Sequence, residues 1–185
     1  MAMRESANLP HILLRGGIAL LATDTLYGLV ARAEDRAAVE RLYAVKRRRP
    51  DKPFIILIAS IAEVQRFGVA VDTQLKTQLQ GYWPGRVSVI LPCPHPEWAY
   101  LHRGTQTLAF RIPAKATLRR LLRQTGPLVA PSANPEGLTP ARTLAEAQAY
   151  FGDEVDYYRR GRTRNQASTI VAIQGRDVRV LRQGN

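Results

Sequence analysis

Acidic residues are in short supply: 15 Asp and Glu stand against 27 Lys and Arg, leaving a formal net charge of +12 on 185 residues. Such a surplus repels itself in a compact state unless solvent or a negatively charged partner screens it, so a polyanionic ligand is the first expectation. Cysteine is nearly absent. The single Cys93, between Pro92 and Pro94, cannot close an internal disulfide and has no second thiol for a metal cluster, which excludes disulfide scaffolds and cysteine-based zinc sites. No apolar run reaches the roughly 18 residues of a membrane helix, and Met1 to Leu14 holds no apolar stretch ending in a small-residue cleavage site, so a cytoplasmic protein is expected. Neither the glycine-lysine loop of the P-loop nucleotidases nor the glycine fingerprint of dinucleotide folds occurs, so any nucleotide site must be built from side chains. At 7%, aromatic residues offer few stacking platforms for single-stranded nucleic acid.

What is present is enough for a packed core, with 45% apolar and 23% charged residues over a length that suits one domain, residues 1–185. Short apolar runs alternate with amphipathic stretches. Strands are expected at Ile18–Ala22, Phe54–Ala59, Val87–Leu91, Thr107–Ile112, Leu128–Ala130, Ser168–Ile173 and Val178–Leu181. Asp35 can cap a helix in which Val39, Leu42, Tyr43 and Lys46 keep helical spacing, and Leu118, Leu121 and Leu122 mark another. Ser60 with Glu63 and Thr143 with Glu146 have capping-box spacing. The fold class expected is therefore α/β, one domain, with an open twisted mixed sheet of about seven strands flanked by helices. Residues 159–167 carry no apolar periodicity and read as a mobile loop or linker.

Two basic clusters stand out: Lys46 to Arg49 with Lys52, and the carboxy-terminal arginines from Arg159 to Arg182. Lys46, Arg48 and Lys52 end a helix and enter a turn, where Arg forks and a Lys point charge could clamp a triphosphate. Cations at a helix end also complement the helix dipole, which is the plainer explanation of the same residues. Thr23, Asp24 and Thr25 follow a buried strand, the position at which α/β sheets place ligands, and Gly28 permits close backbone approach. Hydroxyls there can equally satisfy their own turn. Ser132 and Asn134 repeat the arrangement after Leu128–Ala130. His11, His95 and His102 sit in segments unlike a nucleophile and base pair, which disfavours a serine hydrolase, and His95 and His102 read as loop surface residues. Trp83-Pro84-Gly85 reads as packing and a turn.

Taken together, TDTLYGL (23–29), KRRRPDKPF (46–54), WPGRVSVIL (83–91), TLAFRIP (107–113), PLVAPSANPEG (127–137), STIV (168–171) and VLRQG (180–184) resemble the YrdC-like threonylcarbamoyl-AMP synthases in their short, single-domain form. The resemblance implies an α/β sheet around a concave basic cavity. It also implies a nucleotidyltransferase that makes threonylcarbamoyl-AMP and pyrophosphate from L-threonine, bicarbonate and ATP for the threonylcarbamoyladenosine modification of tRNA. The active-site set implied is Lys46, Arg48, Ser132 and Asn134. ATP contacts would be Arg48, Lys52, Thr107, Asn134, Arg142 and Arg182, and threonine would meet Thr25, Arg111, Ser132 and Ser168. Mg²⁺ would arrive with ATP, and no protein metal ligand is assigned. Transfer proteins would receive the product, and weak tRNA or double-stranded RNA binding is a further implied partner. The chain departs from the family pattern at Ala22, Leu57, Ser88, Lys115 and Glu136.

On the expected mechanism, a carbamate anion must attack the α-phosphate of a tetra-anion, and Lys46, Arg48, Lys52, Arg111 and Arg182 would screen that repulsion. The competing reading is a non-catalytic RNA-binding module that grips phosphates with the same arginines. A relative that has lost the reaction is a third, opposed by the intact Lys46, Arg48, Ser132 and Asn134.

Overall fold

The computed structural model describes residues 8–184, so the part of the amino-terminal reading that falls on residues 1–7 lies outside it. In chain order the elements are α1 (Leu9–Leu14), β1 (Ala19–Ala22), β2 (Tyr27–Arg32), α2 (Arg36–Lys46), β3 (Ile55–Leu57), α3 (Thr73–Gln80), β4 (Val87–Pro92), α4 (Ala99–His102), β5 (Thr107–Arg111), α5 (Ala116–Thr125), β6 (Leu128–Val129), α6 (Leu144–Phe151), β7 (Tyr157–Arg159), β8 (Thr169–Gln174) and β9 (Asp177–Arg182). Among the described residues nine strands form one mixed sheet in the order β7-β1-β2-β6-β3-β5-β4-β8-β9. β1 pairs antiparallel with β2 and parallel with β7, while β3 pairs parallel with β5 and antiparallel with β6.

All of β1 is buried because both faces of the sheet are covered. Side chains alternate across a strand, so Ile18, Leu20 and Ala22 join a core with Val39 and Leu42 of α2, while Ala19 and Leu21 join a second core with Leu13 of α1 and Leu118 and Leu122 of α5. Full burial stabilises each such leucine by about 1.5–3 kcal/mol. As the spacing predicts, Asp35 accepts from Ala38 N at 3.0 Å and caps α2. α2 ends where Arg47 takes a left-handed φ of 52°, which lets Arg48 N donate to Tyr43 O at 3.1 Å and turns the chain sharply off the helix axis.

Two strands differ from the sequence expectation. Tyr27–Arg32 forms β2, not part of a polar loop, because every position but the last is buried and no alternation marks it. Tyr157–Arg159 forms β7, only three residues long and so without a detectable period. Residues 160–168 lack regular structure, but they are tied down: Tyr27 Oη donates to Gly161 O at 2.7 Å, and Arg164 N donates to Thr25 O at 3.1 Å. Thr143 Oγ1 caps α6 by accepting from Glu146 N at 3.1 Å, whereas Ser60 makes no cap bond and Glu63 accepts from Ala59 N at 2.8 Å at the head of a 3-10 turn, Ile61–Phe67. His102 is buried at the end of α4, contrary to its reading as a surface residue, and accepts from Gly104 N through Nδ1 at 3.2 Å. Among the described residues no helix is long and apolar enough to cross a membrane.

Candidate active site

The loops after β1 and β6 meet over the sheet. Thr23 Oγ1 accepts from Thr25 N and Leu26 N and donates to Leu26 O at 2.7 Å, so this hydroxyl closes its own turn. Thr25 is held differently, with Oγ1 2.9 Å from Thr23 Oγ1 and accepting from the Arg111 guanidinium at 3.3 Å. β2 then runs beside the 130–134 loop, bridging Gly28 to Ser132, with Leu29 N donating to Pro131 O at 3.0 Å. A side chain at Gly28 would place its Cβ 3.3 Å from Pro131 O, tighter than ordinary packing, so the approach depends on glycine here.

Lys46 comes from the last turn of α2 and is 1% exposed. Its ammonium donates to Ser132 O and Asn134 O, each at 2.7 Å, and to Asn134 Oδ1 at 3.1 Å. Ser132 Oγ donates to Asn134 Oδ1 at 2.7 Å, and Asn134 Nδ2 donates to Leu138 O at 2.7 Å. Burial pushes the Lys46 ammonium down to about 7, and the charge of Arg48 adds to the shift. The four expected active-site residues therefore divide. Ser132 and Arg48 line a cavity of about 190 Å³, whereas Lys46 and Asn134 lie behind its wall and hold the loop that forms it.

Arg48, Arg111 and Arg182 line this cavity, and among the described residues no Asp or Glu does. Arg111, on β5, donates to Asp24 Oδ1 at 3.0 Å, and Asp24 Oδ2 accepts from Ala114 N at 2.8 Å. Arg111 thus enters the site already paired with a carboxylate of this chain. Burial lowers the guanidinium pKa, and Asp24 opposes the shift. Arg48 donates to Lys52 O at 3.1 Å and lies 5.3 Å over the Phe54 ring. Arg182 donates to Ser168 O at 2.8 Å and Ser168 Oγ at 3.2 Å, and Ser168 Oγ lies 3.1 Å from Ser88 Oγ. Ser88, noted in the sequence only as a departure, is fully buried and supports Ser168 from a strand 80 residues away in sequence.

Three expected ATP contacts, Thr107, Arg142 and Lys52, do not line this cavity. Thr107 opens β5 opposite Pro92, about 13 Å from Arg111 at roughly 3.3 Å per residue, and does not line the cavity. Arg142 is exposed beside α6, outside the lining. Lys52 is exposed and pairs with Glu136, which also accepts from Arg49 N at 2.6 Å. Lys52 and then the Arg49 amide hold the Glu136 carboxyl down at about 2. Leu57 lies in the core shared with α5, on the face away from Ile56. Among the described residues no three of His, Cys, Asp and Glu gather as a metal site.

Comparison with known proteins gives one consistent family. The profile of Sua5, YciO and YrdC proteins, described as "Telomere recombination", matches residues 11–184. A threonylcarbamoyl-AMP synthase of Idiomarina loihiensis is 32% identical over 158 residues, covering 84% of this chain and 85% of its own. One of Bacillus subtilis is 35% identical over 148 residues, covering 79% of this chain but 42% of its own. Among solved structures, P. abyssi Sua5 complexed with L-threonine superposes with a TM-score of 0.86 at 28% identity, over 95% of this chain and 52% of that one. The chain therefore spans about half the length of that protein.

Proposed function

The chain belongs to the Sua5/YciO/YrdC family, and from that premise we propose that it is an L-threonylcarbamoyladenylate synthase, a nucleotidyltransferase that joins L-threonine, bicarbonate and ATP for tRNA modification. The observation that carries this reading is the convergence of Arg48, Arg111 and Arg182 with the hydroxyls of Thr25, Ser132 and Ser168 on one cavity. At about 190 Å³ the cavity lies below the roughly 300–1,000 Å³ of drug-sized sites, so it suits an amino acid, with the nucleotide reaching out along Arg48 toward Lys52.

In this arrangement a threonine carboxylate shares Arg111 with Asp24, and Thr25 and Ser168 orient the amino acid. The neutral amine adds to the bicarbonate carbon, and loss of water leaves the carbamate. The resulting carbamate oxygen attacks the α-phosphorus, and pyrophosphate leaves. Negative charge grows on phosphate and leaving group, and Arg48 and Arg182 are fixed beforehand to meet it. Mg²⁺ is part of the substrate, arriving as the ATP complex. Lys46 and Asn134 act as positioning residues, since their polar atoms are spent on the 132–138 loop. Product passes to threonylcarbamoyl-transfer proteins in the cytoplasm. Hydroxyls gathered on an inward-facing cavity serve a small substrate better than a polynucleotide surface, so tRNA binding is secondary and sensitive to salt.

Pyrophosphate release should require threonine, bicarbonate and ATP together, and Arg48→Ala should abolish it while lowering stability by about 1–2 kcal/mol, through loss of the bond to Lys52 O and the contact with the Phe54 ring. Release that persists without threonine would reject the synthase reading. Glu136 sets a second expectation. Ionised throughout neutral pH, it neutralises Lys52, so Glu136→Gln should lower the ATP requirement several-fold and leave the threonine requirement unchanged. Initial rates against each substrate check this, and an unchanged ATP dependence would remove Lys52 from the nucleotide path.

A further inference from the structure

A second cavity, of about 330 Å³, shares no lining residue with the first. Lys115, Arg159, Arg160 and Arg162 line it, and among the described residues no acid does. This follows from two acid-free stretches, residues 98–135 and 157–176, which meet here. Several arginines elsewhere are matched: Arg41 pairs with Asp156, Arg47 with Glu154, Arg66 with Glu34 and Arg103 with Glu40. The side chains of Arg159, Arg160 and Arg162 make no hydrogen bond or ion pair among the described residues. Lys115 instead donates to Ala22 O at 2.8 Å and to Arg162 O at 3.3 Å, which fixes the arginine segment against the end of β1. Burial depresses the pKa of its ammonium, the Asp24 carboxylate opposes that shift, and the charge of Arg159 adds to it.

Four cations facing one concavity repel one another unless an anion lies among them. The floor has the opposite character, made of Leu21, Leu118 and Leu121, with the Thr117 hydroxyl at the edge. A carboxylate would use one guanidinium fork, whereas a phosphate offers several oxygens to several forks. We propose that this cavity is a second binding site, one for a small organic phosphate whose phosphate lies among Arg159, Arg160 and Arg162 and whose apolar part rests on Leu21, Leu118 and Leu121. The inference is independent of the reaction assigned to the first cavity.

The test is an amide chemical-shift titration of the ¹⁵N-labelled full chain with AMP, which joins a phosphate dianion to a flat ring, and separately with inorganic phosphate. AMP should move the amides of residues 115–118 and 159–162 as a group with its own midpoint, distinct from any group at residues 23–29 and 130–134. Phosphate alone should move the same group with a midpoint about tenfold weaker, since only the apolar contact is lost. Arg159→Gln combined with Arg160→Gln changes exposed side chains and should weaken that midpoint at least about tenfold while leaving pyrophosphate release at the unmodified level. No movement at 115–118 and 159–162, equal midpoints for AMP and phosphate, or an unchanged midpoint in the double variant would each overturn the proposal. So would a duplex RNA that moves this group at a lower concentration than AMP, which would make the surface a backbone contact for nucleic acid.

Discussion

Arg111→Ala is expected to cost about 3–5 kcal/mol of folding stability and to abolish threonine-dependent pyrophosphate release. The first effect comes from what is left behind. Asp24 is largely buried against Arg111, with its other oxygen occupied by Ala114 N, and without the guanidinium it becomes a charge with no countercharge in contact. The second comes from the cavity, which Arg111 lines beside Thr25 and Ser168. Because an unfolded protein is also inactive, the decisive variant is Arg111→Met with Asp24→Asn, which removes both charges. Urea denaturation should show most of the stability restored, while turnover stays lost. Recovery of turnover in that double variant would make Arg111 a purely structural residue. Arg111→Lys adds a graded arm: it keeps the charge but not the planar fork, so the threonine requirement should rise far more than the ATP requirement.

That pair also marks where sequence reasoning stopped. Arg111 was legible as a carboxylate clamp, but its partner Asp24 lies 87 residues away and no local pattern links them. The same holds for Ser88 beneath Ser168 and for Glu136 against Lys52, each joined only by strand order or loop packing. Local signals fared better. Asp35 before a helically spaced Val39 and Leu42 gave α2 and its cap, and the apolar run at Leu128 delivered Ser132 and Asn134 to one loop. β2 escaped because a strand buried on both faces has no alternation to read, and Gly28 within it looked like turn chemistry. Motif order places Thr107 on the same strand as Arg111 but does not say which of the two lines the cavity.

Lys46→Met should lower threonine-dependent turnover about a hundredfold although Lys46 does not line the cavity. Its ammonium is the donor that gathers Ser132 O, Asn134 O and Asn134 Oδ1, and the variant leaves those oxygens without it, so the loop carrying Ser132 shifts. A pH series separates this role from simple loss of packing. Burial holds the folded-state pKa at about 7, below the ordinary 10.5, so between these values the unfolded chain binds a proton that the folded chain has released. Stability from this group therefore rises with pH across that window, by up to about 1.4 kcal/mol per pH unit, and is least below pH 7, where the folded chain carries a buried charge. Other titrating groups are common to both proteins, so the stability of the unmodified chain relative to Lys46→Met should grow between pH 7 and 9.5 in denaturant unfolding. A constant difference would mean that the three oxygens keep the ammonium protonated throughout, and the loop would then be clamped by a full buried charge instead of by a lysine poised near neutrality.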